Sequence, residues 1–151
     1  RAILRVLFAR PRSNTEDARL ARRPPERTFF VKFMLFWLPV LVYVTVIVTL
    51  SSQPRLQPPL RFVSADKLFH ALEYFGLGVL LARAIRGSLR VARPLFAAAI
   101  ALSFGVLIGA GDEFYQQFVP GRDASVLDLL ADAIGTMAAQ FAYLWFVEEK
   151  G

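Results

Sequence analysis

Apolar residues along this chain gather into four runs separated by short polar stretches. Phe33–Leu50, FMLFWLPVLVYVTVIVTL, carries no charge and is close to the length a bilayer core requires. Pro39 lies inside it and predicts a kink rather than a stop. Leu68–Ile85 forms a second run, with His70 and Glu73 in its first turns. Pro94 opens PLFAAAIALSFGVLIGAG, residues 94–111, where proline suits a helix start. Val126–Val147 is the fourth, interrupted near its beginning by Asp128 and Asp132. The pattern predicts an all-α polytopic membrane protein, four transmembrane helices packed as a small bundle. Residues 1–32 read as a basic arm, 33–147 as the membrane domain and 148–151 as a short tail.

Composition fits this pattern. Apolar residues make up 56% of the 151 positions, and the mean hydropathy is +0.46, oilier than a typical soluble domain. The absence of cysteine excludes disulfides and thiolate metal sites. A net charge of +6 would suggest nucleic acid in a soluble chain. Here the cations flank the apolar runs, so topology accounts for them and no nucleic-acid partner is expected. The first long apolar run has no small-residue cleavage site after it, so no cleavable signal peptide is expected. Residues 1–32 hold nine Lys and Arg, and Arg83, Arg86, Arg90 and Arg93 cluster around the connection between runs two and three. The other two connections hold only Arg55, Arg61, Lys67 and Arg122. The positive-inside bias therefore predicts both termini in the cytoplasm and the 51–66 and 112–125 connections outside. Every unusual polar residue at a span end then falls on the outer side.

Those residues share helical faces. Asp66, His70 and Glu73 are spaced i, i+4, i+7. Asp128, Asp132, Thr136 and Gln140 recur every four residues and form a polar stripe that enters the membrane. A stripe of small residues, Ala131, Gly135 and Ala139, runs beside it, and the third span has Ala101, Gly105 and Gly109. Small residues at this spacing predict close packing of spans three and four, with the acids turned inward. Asp132 lies roughly 10 Å along the helix from Ser125. A carboxylate facing lipid at that depth costs on the order of 2–3 kcal/mol. Plainer roles compete for some of these groups. Ser125-x-x-Asp128 has the spacing of a capping box, and Asp66 suits a helix N-cap. Asp112 and Glu113 stand at a helix C-terminus, where the dipole disfavours acids, so capping does not explain them. Pro120-Gly121 fits the centre of a type II turn.

The stretches SSQP at 51–54, DKLFHALEYFGLG at 66–78 and DEFYQQFVPGR at 112–122, with Asp128 and Gly135 beyond, resemble the VanZ-like family of small bacterial membrane proteins. The resemblance implies two motif elements, Asp66, Lys67, His70 and Tyr74, then Asp112, Glu113, Gln116, Pro120, Gly121 and Arg122. It also implies an integral protein of the bacterial cytoplasmic membrane, with its polar motif at the outer face. Asp132 departs from the family, which usually has asparagine there. Residues 1–32 have no counterpart in the motif and are expected to be peculiar to this chain.

The first functional reading is a polar pocket at the outer face that binds a lipid-linked or cell-envelope headgroup. Arg122 and Lys67 are its cations, Gln116 and Tyr74 its neutral donors. Glu113 and His70 are the acid/base candidates if chemistry follows binding, but no catalytic residue is assigned. No cofactor is expected; a divalent cation in the Asp/Glu/His cluster is the weaker alternative, since no chelating histidine pair is present and such sets also form plain salt-bridge networks, so no metal is expected. The second reading is a non-catalytic accessory or assembly subunit of a larger membrane complex, with the motif as an internal hydrogen-bond and ion-pair network. In that case membrane lipids and other subunits meet the bundle exterior and the arm, whose Ile3, Leu4, Val6, Leu7 and Phe8 offer a docking face. An ion path along the Asp128–Gln140 stripe ranks last, because no charge continues it to the cytoplasmic end.

Overall fold

The structure is a computed structural model and describes residues 25–53, 65–89, 91 and 93–148. Among the described residues every regular element is helical: α1 (Pro25–Lys32), a π-helical turn (Phe33–Trp37), α2 (Leu38–Ser51), α3 (Ala65–Ser88), α4 (Pro94–Gln116) and α5 (Val126–Glu148). Four stretches are long and apolar enough to cross a membrane: Phe29–Ser51, Ala65–Ser88, Pro94–Gln116 and Val126–Phe146. By packing the chain divides into two units, Arg1–Val31 and Lys32–Gly151. The docking face expected at Ile3–Phe8 lies outside the described residues.

Two helices are longer than the apolar runs that predict them. α3 begins at Ala65 and takes Asp66 and Lys67 into its first turn, while α4 runs on through Asp112 and Glu113 to Gln116. Hydropathy ends a span at a charge, but a charge that finds its partner inside the bundle can stay helical.

Pro39 does more than bend the first span. It has no N–H to offer the carbonyl four residues back, that of Leu35. The chain answers with the π-helical turn just before it, closed by Leu38 N–H bonding to the Phe33 carbonyl. Arg83 Nη1 from α3 donates to the Leu35 carbonyl at 2.8 Å, and its guanidinium lies 5.1 Å from the Phe36 ring centre. Trp37 Nε1 adds a bond to Ser88 Oγ at 2.9 Å. These contacts tie the first span to the end of α3 opposite Asp66.

The most extensive helix pairing is α3 with α5, the two least apolar spans, followed by α4 with α5. Spans three and four pack as the small-residue stripes predict, but those stripes do not face each other. Gly135 of α5 sits against the Ala71 carbonyl of α3, and a Cβ on Gly78 of α3 would lie 2.7 Å from the Ala139 methyl. The small residues of α4 instead meet the polar stripe of α5: a Cβ on Gly109 would lie 2.9 Å from Asp132 Oδ2, and one on Gly105 2.5 Å from Thr136 Cγ2. A carboxylate is wider than a methyl group, so α4 gives way with glycine where α5 carries acids. Tyr74, Leu77, Leu81, Ile85, Ile47 and Ala101 fill the apolar core, while Leu107, Ile134, Phe141 and Trp145 point outward. Thr45, Thr49 and Ser103 on the outer surface bond to carbonyls four residues back, which removes their hydroxyls from lipid.

Gly135→Ala should therefore drive a methyl into the Ala71 carbonyl and lower stability by about 1–3 kcal/mol. Gly111 has nothing within 4 Å of its would-be Cβ, so Gly111→Ala should be neutral or gain about 0.5–1 kcal/mol of helix propensity. Thermal unfolding of the two variants in detergent makes the comparison.

Candidate functional site

The up-and-down course of the helices brings four termini to one end of the bundle. These are the last residue of α2, the first turns of α3 and α5, and the last turns of α4. Ser51, Asp66, Lys67, His70, Asp112, Glu113, Gln116, Asp128 and Asp132 all fall there. Ser51, Asp112, Glu113, Gln116, Asp128 and Asp132 are buried, while Asp66 and Lys67 reach toward the surface. Asp132 is 0%, Gln116 1%, Asp112 4% and Glu113 6% exposed.

Each buried acid finds a donor. Lys67 Nζ bridges Asp66 Oδ2 at 2.6 Å and Asp128 Oδ1 at 2.5 Å, linking α3 to α5. His70 Nδ1 lies 3.0 Å from Asp132 Oδ1. An ionised Asp132 has no hydrogen to give, so Nδ1–H is the donor of this pair. Asp112 Oδ2 accepts from Ser51 Oγ at 2.7 Å and from Gln116 Nε2 at 3.0 Å, tying α2 to α4. The capping box at the start of α5 is shared between helices. Asp128 N–H donates to Ser125 Oγ at 3.3 Å, but the acid that accepts from Ser125 N–H is Glu113 of α4, through Oε2 at 2.7 Å. Asp128 is thereby left to Lys67. Asp66 lies within the first turn of α3 and bonds Lys67.

The turn forms as Pro120-Gly121 predicts. Gly121 takes φ 82, and Arg122 N–H bonds to the Val119 carbonyl at 3.1 Å. A side chain with a Cβ resists that φ, so glycine here sets where Arg122 emerges. Arg122 is half-buried, and its charge bears on Glu73 of α3. Its guanidinium makes no hydrogen bond or ion pair among the described residues. Other buried polar atoms without a partner there are Tyr74 Oη, Asp112 Oδ1, Glu113 Oε1, Asp132 Oδ2 and Thr136 Oγ1. Deeper in the bundle Gln140 Nε2 donates to the Gly78 carbonyl at 3.0 Å, so the α5 stripe ends in a helix-to-helix bond.

All eleven residues singled out in the sequence lie toward this end of the bundle, and seven of them form three linked groups. Lys67 joins Asp66 to Asp128, and His70 joins Asp132. Gln116 joins Asp112, with Glu113 beside it on α4. Glu73, Tyr74 and Arg122 have no side-chain hydrogen bond among the described residues. Ser51 was not assigned a role from sequence, although SSQP at the end of the first span was its signal. A metal site was not expected, yet one ring nitrogen of His70 and one carboxylate oxygen each of Glu113 and Asp128 lie within 4.8 Å of one another.

A family model described as VanZ/LLP1 matches residues 3–147. The chain belongs to the VanZ/LLP1 family. The match takes in nearly all of the N-terminal arm, so residues 1–32 are not peculiar to this chain as their lack of motif residues suggested. No curated protein and no solved structure matches the chain. With the four spans, membership makes this a multi-pass VanZ/LLP1 membrane protein.

Lys67→Met should strand the Asp128 carboxylate, whose side chain is 12% exposed. The expected loss is about 1–3 kcal/mol, below the 3–5 of a fully buried pair because Lys67 itself is partly in solvent. Adding Asp128→Asn in the same background should recover part of it, as read from the unfolding midpoint in detergent.

Proposed function

We propose that the motif end of the bundle faces outward and binds the anionic headgroup of a lipid-linked or cell-envelope molecule. The observation that carries this reading is the imbalance between Arg122 and the acids around it. Asp66, Asp112, Glu113, Asp128 and Asp132 each have a donor on one oxygen, whereas the Arg122 guanidinium has no acceptor among the described residues. A planar fork of donors carried by the residue after the Pro120-Gly121 turn, at the polar end of the bundle, suits a phosphate or carboxylate held by two parallel bonds. Lys67, committed to two acids, supplies field rather than contact. Tyr74 Oη, buried and without a partner among the described residues, adds a neutral donor from α3. The membrane in question is the bacterial cytoplasmic membrane, with both termini inside.

A second reading has its own support. The bonds at this end join α2 to α4, α3 to α5 and α4 to α5. A network of that kind fixes how helices sit whether or not anything binds. As a non-catalytic accessory subunit the protein would use the same motif to hold its shape, and its apolar exterior and arm to meet other membrane subunits.

Two measurements separate these readings. With wild-type protein in detergent, native mass spectrometry should show retention of phosphatidylglycerol or a polyprenyl phosphate over phosphatidylcholine. Arg122→Gln should cut that retention about 10-fold or more, the value of a lost charge-assisted bond. Equal retention of all three lipids, or a stoichiometric protein partner co-purifying in mild detergent, favours the accessory role. Orientation is checked on a chain without native cysteine. In intact cells Ala124→Cys should react with a membrane-impermeant maleimide, and Leu89→Cys only after permeabilisation.

A further inference from the structure

We infer that His70, Glu113 and Asp128 form a binding site for one divalent transition-metal ion of the zinc type. Three different helices, α3, α4 and α5, each contribute one ligand, and the three ligand atoms lie within 4.8 Å of one another. Tetrahedral bonds of about 2.1 Å place ligand atoms about 3.4 Å apart, so small side-chain rotations complete the set. Proximity of acids alone would not make a site, since Lys67 already answers Asp128. Three further features point to a cation.

The first is Glu113. Its Oε2 is taken by Ser125 N–H, but Oε1 is buried with no donor among the described residues, in a side chain only 6% exposed. A lone carboxylate oxygen enclosed in this way calls for a cation or a proton. The second is the state of His70. Asp132 faces Nδ1, and in the neutral ring that leaves Nε2 to ligate, the carboxylate–histidine arrangement that orients a metal-binding ring. The third is the donor set itself. One imidazole and two carboxylates suit zinc or manganese better than magnesium or calcium, which take oxygen ligands. Three protein ligands also leave a position open, as in sites where a metal holds a further group.

The charges allow it. Five acids, Asp66, Asp112, Glu113, Asp128 and Asp132, gather at this end against the cations Lys67 and Arg122. A divalent ion reduces the excess. An ion here would also give an anionic headgroup a second positive contact besides Arg122. Only that last role rests on the headgroup reading; the metal site stands by itself.

The chain has a single histidine, so untagged wild-type protein provides an unambiguous probe. Protein labelled with 15N-histidine, stripped with a chelator and titrated with Zn2+ in detergent, should take up about one ion per chain and shift its one pair of ring-nitrogen signals. Mn2+ should bind more weakly, and Mg2+ and Ca2+ should leave the ring signals in place. Glu113→Gln and Asp128→Asn should each weaken zinc uptake 10-fold or more. Asp132→Asn, which keeps the shape and removes the charge behind His70, should weaken it 10- to 100-fold. Zinc uptake that leaves the His70 signals unmoved, or no uptake by the wild type, overturns the site. Undiminished affinity in folded Glu113→Gln and Asp128→Asn does the same. Arg122→Gln should bind zinc as the wild type does, so a failed headgroup reading and a failed metal site give different results.

Discussion

A carboxylate in a membrane span has to find its donors within the protein, because neither lipid nor bulk water offers any. This chain carries four acids at the inner face of one bundle end, and their needs shape much of the packing around them. Asp112 draws Ser51 and Gln116 together, which attaches the first span to the third. Asp128 and Asp132 draw Lys67 and His70, which makes α3 and α5 the closest pair. Glu113 reaches across to the first turn of α5. The glycines of α4 follow from the same requirement, since Gly109 makes room for the Asp132 carboxylate. Apolar packing supplies area, but it does not say which helix sits beside which. The acids do.

The opposite end solves a different problem with a similar device. Pro39 leaves the Leu35 carbonyl without its usual helical partner, and an arginine from a neighbouring helix takes it. An unmet backbone acceptor and an unmet guanidinium would each be costly in this setting, and together they cancel. Arg83 was counted in the sequence only as a topology signal. In the fold it also ties the first span to α3.

The four spans, their order and the gathering of polar residues at one end were legible in the sequence, because 18-residue apolar runs and charge bias report directly on membrane crossing. The helix ends were less so. Asp66, Lys67, Asp112 and Glu113 looked like loop residues to a hydropathy argument, which cannot see that Lys67 and Asp128, 61 positions apart, neutralise each other. The partners were illegible for the same reason. Spacing placed Asp66, His70 and Glu73 on one face, but each pairs differently: Asp66 with its neighbour, His70 with α5, and Glu73 with nothing among the described residues beyond the field of the charges around it. The capping box shows the limit most clearly. Ser125 and Asp128 have the right spacing, yet the acid that closes the box comes from α4. A local motif fixes geometry within one helix; which of two acids fills it depends on the neighbouring helix.

The distance in sequence between Lys67 and Asp128 has a consequence for biosynthesis. α3 leaves the ribosome well before α5, and its Lys67 and His70 wait for acids that are 61 and 62 residues downstream. At ordinary elongation rates that interval lasts about 3–12 s. For that time Lys67 lacks Asp128 and His70 lacks Asp132, and Lys67 has Asp66 beside it. The bundle closes at this end only when the last helix is made, so a chain truncated after α4 retains its cations without the carboxylates that belong to them.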